Sequence, residues 1–213
     1  MTSAGLPWPS DPHLRRWMMF IDGENFTIRA QKVAASKSVA LIEGKNYMKD
    51  VFVWMPGIRG TQTLTTGHVQ LQPHAIRSHY YTSVIADDVK YMEVREKLRE
   101  LGFTPQVFRK KKKEEKAKGV DIALTKDMLT NAFFNNYDVA VLIAGDGDYI
   151  PLVEEVKRFG KIVYLTFFKA EGLNPDLRLV ADYHFDMEPL FSEQWKKDNE
   201  KSKVDEKGKA KDD

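Results

Sequence analysis

The sequence predicts an α/β fold: a central, mostly parallel β-sheet with helices on both faces. Strand-like and helix-like segments alternate along the chain, the pattern of parallel strands joined by crossover helices. Two strand-like runs, WMMFI at 17–21 and DVAVLIA at 138–144, are apolar almost throughout, as strands covered on both faces must be. Both lead directly into acidic, glycine-containing loops, DGEN and GDGD. Ligand crevices of such sheets lie outside the carboxyl ends of the strands. Two acidic loops at two such ends therefore mark one sheet edge as the candidate site.

Each element has its own signal. After WMMFI, a helix is expected from Glu24 to about Ser36, and a second, irregular helical element over 40–50. VFVWM at 51–55 reads as a strand or an apolar approach to one. Residues 56–78, rich in Gly, Thr, Gln and His, read as an irregular insertion. HYYTSVI at 79–85 is aromatic and β-branched, hence a strand. From Asp87 to Glu100 the period becomes helical, with Tyr91, Val94, Leu98 and Leu101 on one face and Gly102 as the stop. FTPQVF is a further strand. A helix is expected from Val120 to Phe134, burying Ile122, Leu129 and Phe133. PLVEEVKRF at 151–159 fits a helix with proline in its first turn, and KIVYLTFF at 161–168 a last strand.

The 213 residues are 42% hydrophobic and 30% charged, which suits a single globular unit. That unit is expected over 14–193. Residues 1–13 form a proline-containing lead, and 194–213 a charged, disordered tail whose last 18 residues hold seven lysines and six acids. No apolar run is long enough to span a membrane, and no secretory leader is expected. The absence of cysteine removes disulfides and thiolate metal sites and is compatible with a cytoplasmic location. A net charge of +2 does not signal nucleic-acid binding by itself; the distribution of charge matters more.

The acids carry the chemistry. Asp22 follows the first strand, and Asp146 and Asp148 follow the strand at 138–144. Asp121 sits near a helix start, where a carboxylate meets free N–H groups. Nearby acids repel unless a cation, a proton or a donor compensates. Carboxylates and water are the ligands that Mg²⁺ or Mn²⁺ prefer. Asn25 lies one turn beyond Asp22 and is expected either to donate to a carboxylate, phosphate or water, or to cap the turn. Asp127 is rotated about 240° from Asp121 on the same helix and is a supporting residue. No phosphate loop, HExxH pair or nucleophile elbow is present, and the five histidines are scattered.

FIDGEN, KGVDIALTKDML and AGDGDYIPLVEEVKRFGK, in this order and spacing, resemble the NYN domain family, the LabA-like or DUF88 group of PIN-like nucleases. The resemblance covers about 17–187, including HYYTSV, LGFTPQVF and ADYHFD. It implies a PIN-like three-layer sandwich and a metal-dependent ribonuclease. It carries Asp22, Asp121, Asp146 and Asp148 over as metal-binding and catalytic carboxylates, with Asn25 as a polar partner. The insertion at 56–78 is the main departure.

A nucleic-acid substrate also needs cations for its backbone. The run 109–118 holds seven basic residues against two acids and stands directly before Asp121. Lys110, Lys111, Lys112 and Lys113 are thus expected to bind RNA, with Arg77 and Tyr80 adding a phosphate contact and stacking. The expected activity is a Mg²⁺- or Mn²⁺-dependent endoribonuclease. The alternatives are an RNA-binding or regulatory protein with little turnover, and a phosphatase or nuclease of another substrate class, DNA included. A homo-oligomer is compatible with the sequence but unsupported by it.

Overall fold

β1 (Trp17–Asp22) runs through the middle of the molecule, with every residue buried and a parallel strand on each side. Alternation sends Trp17, Met19 and Ile21 into one core cluster and Met18 and Phe20 into the other. The computed structural model describes residues 14–44, 46–55, 69–110, 118–193 and 195. Residues 1–13, the greater part of 194–213, and 56–68 of the expected insertion lie outside them.

After β1 come α1 (Gly23–Ser36), β2 (Tyr47–Met48), β3 (Phe52–Val53), β4 (Arg77–Val84), α2 (Asp88–Glu100) and β5 (Thr104–Arg109). Then follow α3 (Lys118–Phe133), β6 (Val139–Ile143), a 3₁₀ turn (Gly147–Tyr149), α4 (Ile150–Arg158), β7 (Ile162–Phe167), α5 (Pro175–Val180) and β8 (Tyr183–Asp186). The main sheet has the order β5-β4-β1-β6-β7-β8, every pair parallel. The strand order reverses between β1 and β6. Their carboxyl ends therefore flank the topological switch point, where open α/β sheets leave a crevice.

One face of the sheet is covered by α1, α2 and the β2–β3 hairpin, the other by α3, α4 and α5, which gives three layers. The α/β class with a parallel sheet between helices is as expected. Among the described residues, no helix is long and apolar enough to cross a membrane.

Two local expectations are corrected, and VFVWM holds the short strand β3, as expected. The described residues of 40–50 are not helical: Asp50 takes a φ of +60° in the turn of the β2–β3 hairpin. VFVWM does not join the main sheet. The Tyr80 hydroxyl holds it at the sheet face, accepting from Val53 N–H and donating to Val53 C=O, both at 3.1 Å. On α3, Ile122 is 68% and Phe133 67% exposed, and only Leu129 is partly buried. The sheet takes the stripe Val120, Leu124, Met128 and Ala132 instead. Both stripes have helical spacing, so periodicity did not choose between them.

The described end of the insertion is ordered against the start of β1. Arg15 pairs with Leu71, and Trp17 Nε1 donates to Gln72 C=O at 2.9 Å. β4 begins at Arg77, two residues before the expected strand.

Gly23 marks the closest approach of α1 to the sheet. A Cβ there would stand 2.0 Å from the Tyr80 ring and 2.7 Å from Tyr81 C=O. Tyr80 is fully buried and cannot retreat. Gly23→Ala is therefore expected to cost about 1–3 kcal/mol or more, measured by urea unfolding. A loss within about 0.5 kcal/mol, typical of surface changes, would show that α1 can lift from β4 freely.

Candidate active site

Asp22 ends β1 and caps α1: its Oδ1 accepts from the backbone N–H of Asn25 at 3.2 Å. Asn25 thus contributes its main chain, and the cap is Asp22 itself. Asp22 is only 4% exposed. Burial pushes its carboxyl up to about 7, and the charge of Asp121 pushes the same way; the Asn25 N–H and the Tyr149 hydroxyl oppose them.

Tyr149, which follows the GDGD loop, joins the two acids. Its hydroxyl lies 2.9 Å from Asp121 Oδ1 and 3.2 Å from Asp22 Oδ2. Burial and the two carboxylates raise its own ionisation far above the ordinary phenol range, so it remains a donor. One hydroxyl has one proton. It can serve only one of the two carboxylates at a time, and the shorter distance is to Asp121.

The GDGD loop is built to deliver Tyr149. Asp146 caps the 3₁₀ turn, its Oδ1 accepting from Asp148 N–H at 3.2 Å. A Cβ on Gly145 would stand 2.3 Å from the Phe167 ring and 2.5 Å from Gly172 C=O. Asn174 N–H donates to Gly145 C=O at 2.8 Å, pinning the loop from the other side. The turn so held sends Tyr149 inward, while Asp146 and Asp148 stay exposed.

Asp22 and Asp146 leave the same edge of the sheet, because β1 and β6 are parallel with Ile21 beside Ile143. The hydrogen-bond chain, however, links Asp22, Tyr149 and Asp121 and leaves out Asp146 and Asp148. Among the described residues, no three His, Cys, Asp or Glu side chains gather closely enough to hold a metal. The expected four-carboxylate cluster is thus a pair plus two flanking acids. The Asp146 carboxylate is engaged in capping its own turn.

A second network borders the pair. Glu24 accepts from Ser83 Oγ and pairs with Lys110 Nζ at 2.7 Å. The Lys110 side chain is only 8% exposed. It is a buried ion-pair partner at the carboxyl end of β5, which corrects its reading as a free phosphate contact. Lys111, Lys112 and Lys113 lie outside the described residues. Tyr80 is corrected as well: it is wholly interior and spends its hydroxyl on β3. Arg77 is exposed but pairs in register with Met18, whereas Asp22 pairs with Tyr81, so Arg77 stands at the opposite edge of the sheet. Asp127 accepts from the Tyr81 hydroxyl at 3.0 Å and lies 3.4 Å from Lys126 Nζ, a supporting contact turned away from Asp121.

Sequence reasoning passed over Tyr149, Glu24 and Ser83. The signal for Tyr149 was its place directly after the paired acids; nothing local says that its hydroxyl reaches β1.

The NYN domain signature matches residues 16–188. The chain belongs to the NYN domain family. This places it in the PIN-like nuclease superfamily. A crystal structure of a protein of unknown function from Vibrio parahaemolyticus is similar in fold to this NYN domain. The TM-score is 0.54 and the identity 20%, over 83% of this chain and 94% of the other. No curated protein matches the chain at a significant level.

The buried Asp22 makes stability pH-dependent in metal-free protein. Folded Asp22 keeps its proton to about 7, while the ordinary value is 3.8. Its contribution is full below the lower value, declines as pH rises between the two, and is flat above. Asp22→Asn, which retains a capping oxygen, is expected to leave stability unchanged at pH 4. At pH 8 in chelator it should raise stability by about 2–4 kcal/mol, followed by urea unfolding. Equal stabilities at pH 8 would mean that Asp22 ionises in place without penalty.

Proposed function

We propose that this NYN domain is a ribonuclease that works with Mg²⁺ or Mn²⁺ held at Asp22 and Asp121. The observation that carries the reading is two carboxylates on one tyrosine hydroxyl at the switch point of a parallel sheet. The donor set fits a hard divalent cation. It is all oxygen, and one member is a buried carboxylate that has no cationic partner among the described residues. Mg²⁺ is commonly held by one or two carboxylates plus waters and substrate phosphate, so a third protein ligand is not required. When bound, such a cation supplies an activated water and charge stabilisation at the phosphodiester.

The chain's own groups do the rest. Tyr149 holds the buried Asp22 and the exposed Asp121 carboxylates in register. Asp146 and Asp148, exposed at the rim, are placed to orient water and to set the sign of the local field. The Glu24–Lys110 pair fixes the end of β5, which the remaining lysines follow in the sequence. Those lysines would draw a phosphate backbone to an otherwise acidic rim.

One observation favours a second reading, an RNA-binding protein with little turnover. Tyr149 already engages both carboxylates, and among the described residues no third acid joins them closely enough to hold a metal. Labelled single-stranded RNA, duplex RNA and DNA, incubated with Mg²⁺, Mn²⁺ or chelator, separate the two. The nuclease reading expects metal-dependent cleavage of RNA, abolished by Asp121→Asn. Tight RNA binding without cleavage under any cation would establish the second reading instead.

Asp146→Asn tests the rim. Asparagine caps as well as aspartate, so the melting temperature should stay within about 1–2 °C. Cleavage should nevertheless be largely lost. Full turnover in that variant would reduce Asp146 to a capping residue.

The lysine run divides into two roles. Lys111→Ala, Lys112→Ala and Lys113→Ala together should weaken RNA binding and lower the salt slope by about 2, with stability unchanged. Lys110→Ala should instead destabilise the fold, because Glu24 loses its partner. RNA affinity across a salt series, with a thermal melt of each protein, measures both. Identical salt slopes for parent and triple variant would reduce the run to a solvated linker.

A further inference from the structure

We propose that two copies of this chain associate through the outer face of α3. Around that helix, Ile122, Leu129 and Phe133 lie within about 40° of one another, on the side opposite Leu124 and Met128. A helix apolar on both sides is normally covered on both. Here one side packs on the sheet, and among the described residues only the end of α4 borders the other, at Phe159. Ile122 is 68%, Phe133 67% and Phe134 64% exposed, and Phe159 at the end of α4 is 39% exposed. The three phenylalanines already form an edge-to-face cluster, with Phe133 5.3 Å from Phe134 and 6.0 Å from Phe159.

The composition of the face selects its occupant. Lys126 is the one charged side chain within the stripe, and it leans to Asp127 at 3.4 Å. Arg158, beside Phe159, is paired with Glu155 at 2.8 Å. Each cation stands beside an acid, so the face is close to neutral and its centre is apolar, which suits a protein surface better than a phosphate backbone.

The stripe is also complementary to itself. An antiparallel contact centred between Asp127 and Met128 puts Ile122 opposite Phe133 of the second copy, and Lys126 opposite its Leu129. The four exposed apolar side chains present about 450 Å² per copy. That is about half of what each partner buries in a stable interface of standard size, and it forms the apolar centre that such an interface needs. The face begins at Ile122, next to Asp121, so the association would run alongside the acidic pair.

Sedimentation of the full chain at tens of micromolar tests the proposal. The parent should be a dimer. Phe133→Glu and, separately, Ile122→Lys should raise the dissociation constant at least about 30-fold with unchanged melting. The chain has no cysteine, so introduced thiols report geometry without background. Lys126→Cys with Leu129→Cys should give a covalent dimer on oxidation. Ile122→Cys alone should not, because its twofold mate lies about 16 Å away along the axis. A monomeric parent, or a dimer indifferent to both charge substitutions, overturns the proposal. So does a monomeric parent whose RNA affinity falls with Phe133→Glu, which would make the face a stacking surface.

Discussion

A carboxyl group stands at the end of a fully buried strand, and much of the molecule is arranged to make that tolerable. Asp22 receives the Asn25 N–H because α1 starts at once after β1, and Gly23 permits that start by leaving room for the Tyr80 ring. It receives the Tyr149 hydroxyl because the glycines of the GDGD loop allow Phe167, Gly172 and Asn174 to pack against the turn. These donors still do not offset burial, and the carboxyl stays raised to about 7. A buried carboxyl kept at such a disadvantage is a candidate functional group.

The parallel sheet decides what the site can contain. Pairing β1 with β6 puts the loop after each strand at one edge, and the reversal of strand order opens a crevice between them. Asp121 enters from the helix layer, not from a strand. Its approach depends on α3 crossing the face that Met18, Phe20, Leu142 and Tyr81 line. The acidic pair is therefore one strand end and one helix start, bridged by a tyrosine from a third element.

The same packing explains which aromatic and basic groups are withdrawn from solvent. Tyr80 and Tyr81 are neighbours on β4 and point to opposite faces: one holds the β3 backbone, the other holds Asp127. Lys110 balances Glu24 beside the site, so the sheet edge carries a fixed ion pair between the acidic pair and the start of the lysine run. On α3 the contrast is reversed. Apolar side chains that would serve a core are displayed outward, which is the physical basis for reading that face as an interface.

The order of elements, the parallel sheet and the edge at which Asp22 and Asp146 emerge were legible in the sequence. Continuous apolar runs such as WMMFI need cover on both faces, and two acidic glycine loops follow directly after two such runs. The NYN motifs named the same four carboxylates. What only the tertiary structure decided was which groups touch. Tyr149 reaches Asp22 across 127 positions of sequence, and Lys110 reaches Glu24 across 86. No periodicity encodes such distances. The burial of Tyr80, the outward stripe of α3 and the capping role of Asp146 were likewise undecided. In each case two local arrangements satisfy propensity and spacing equally, and the choice falls to the surface that the rest of the chain brings into contact.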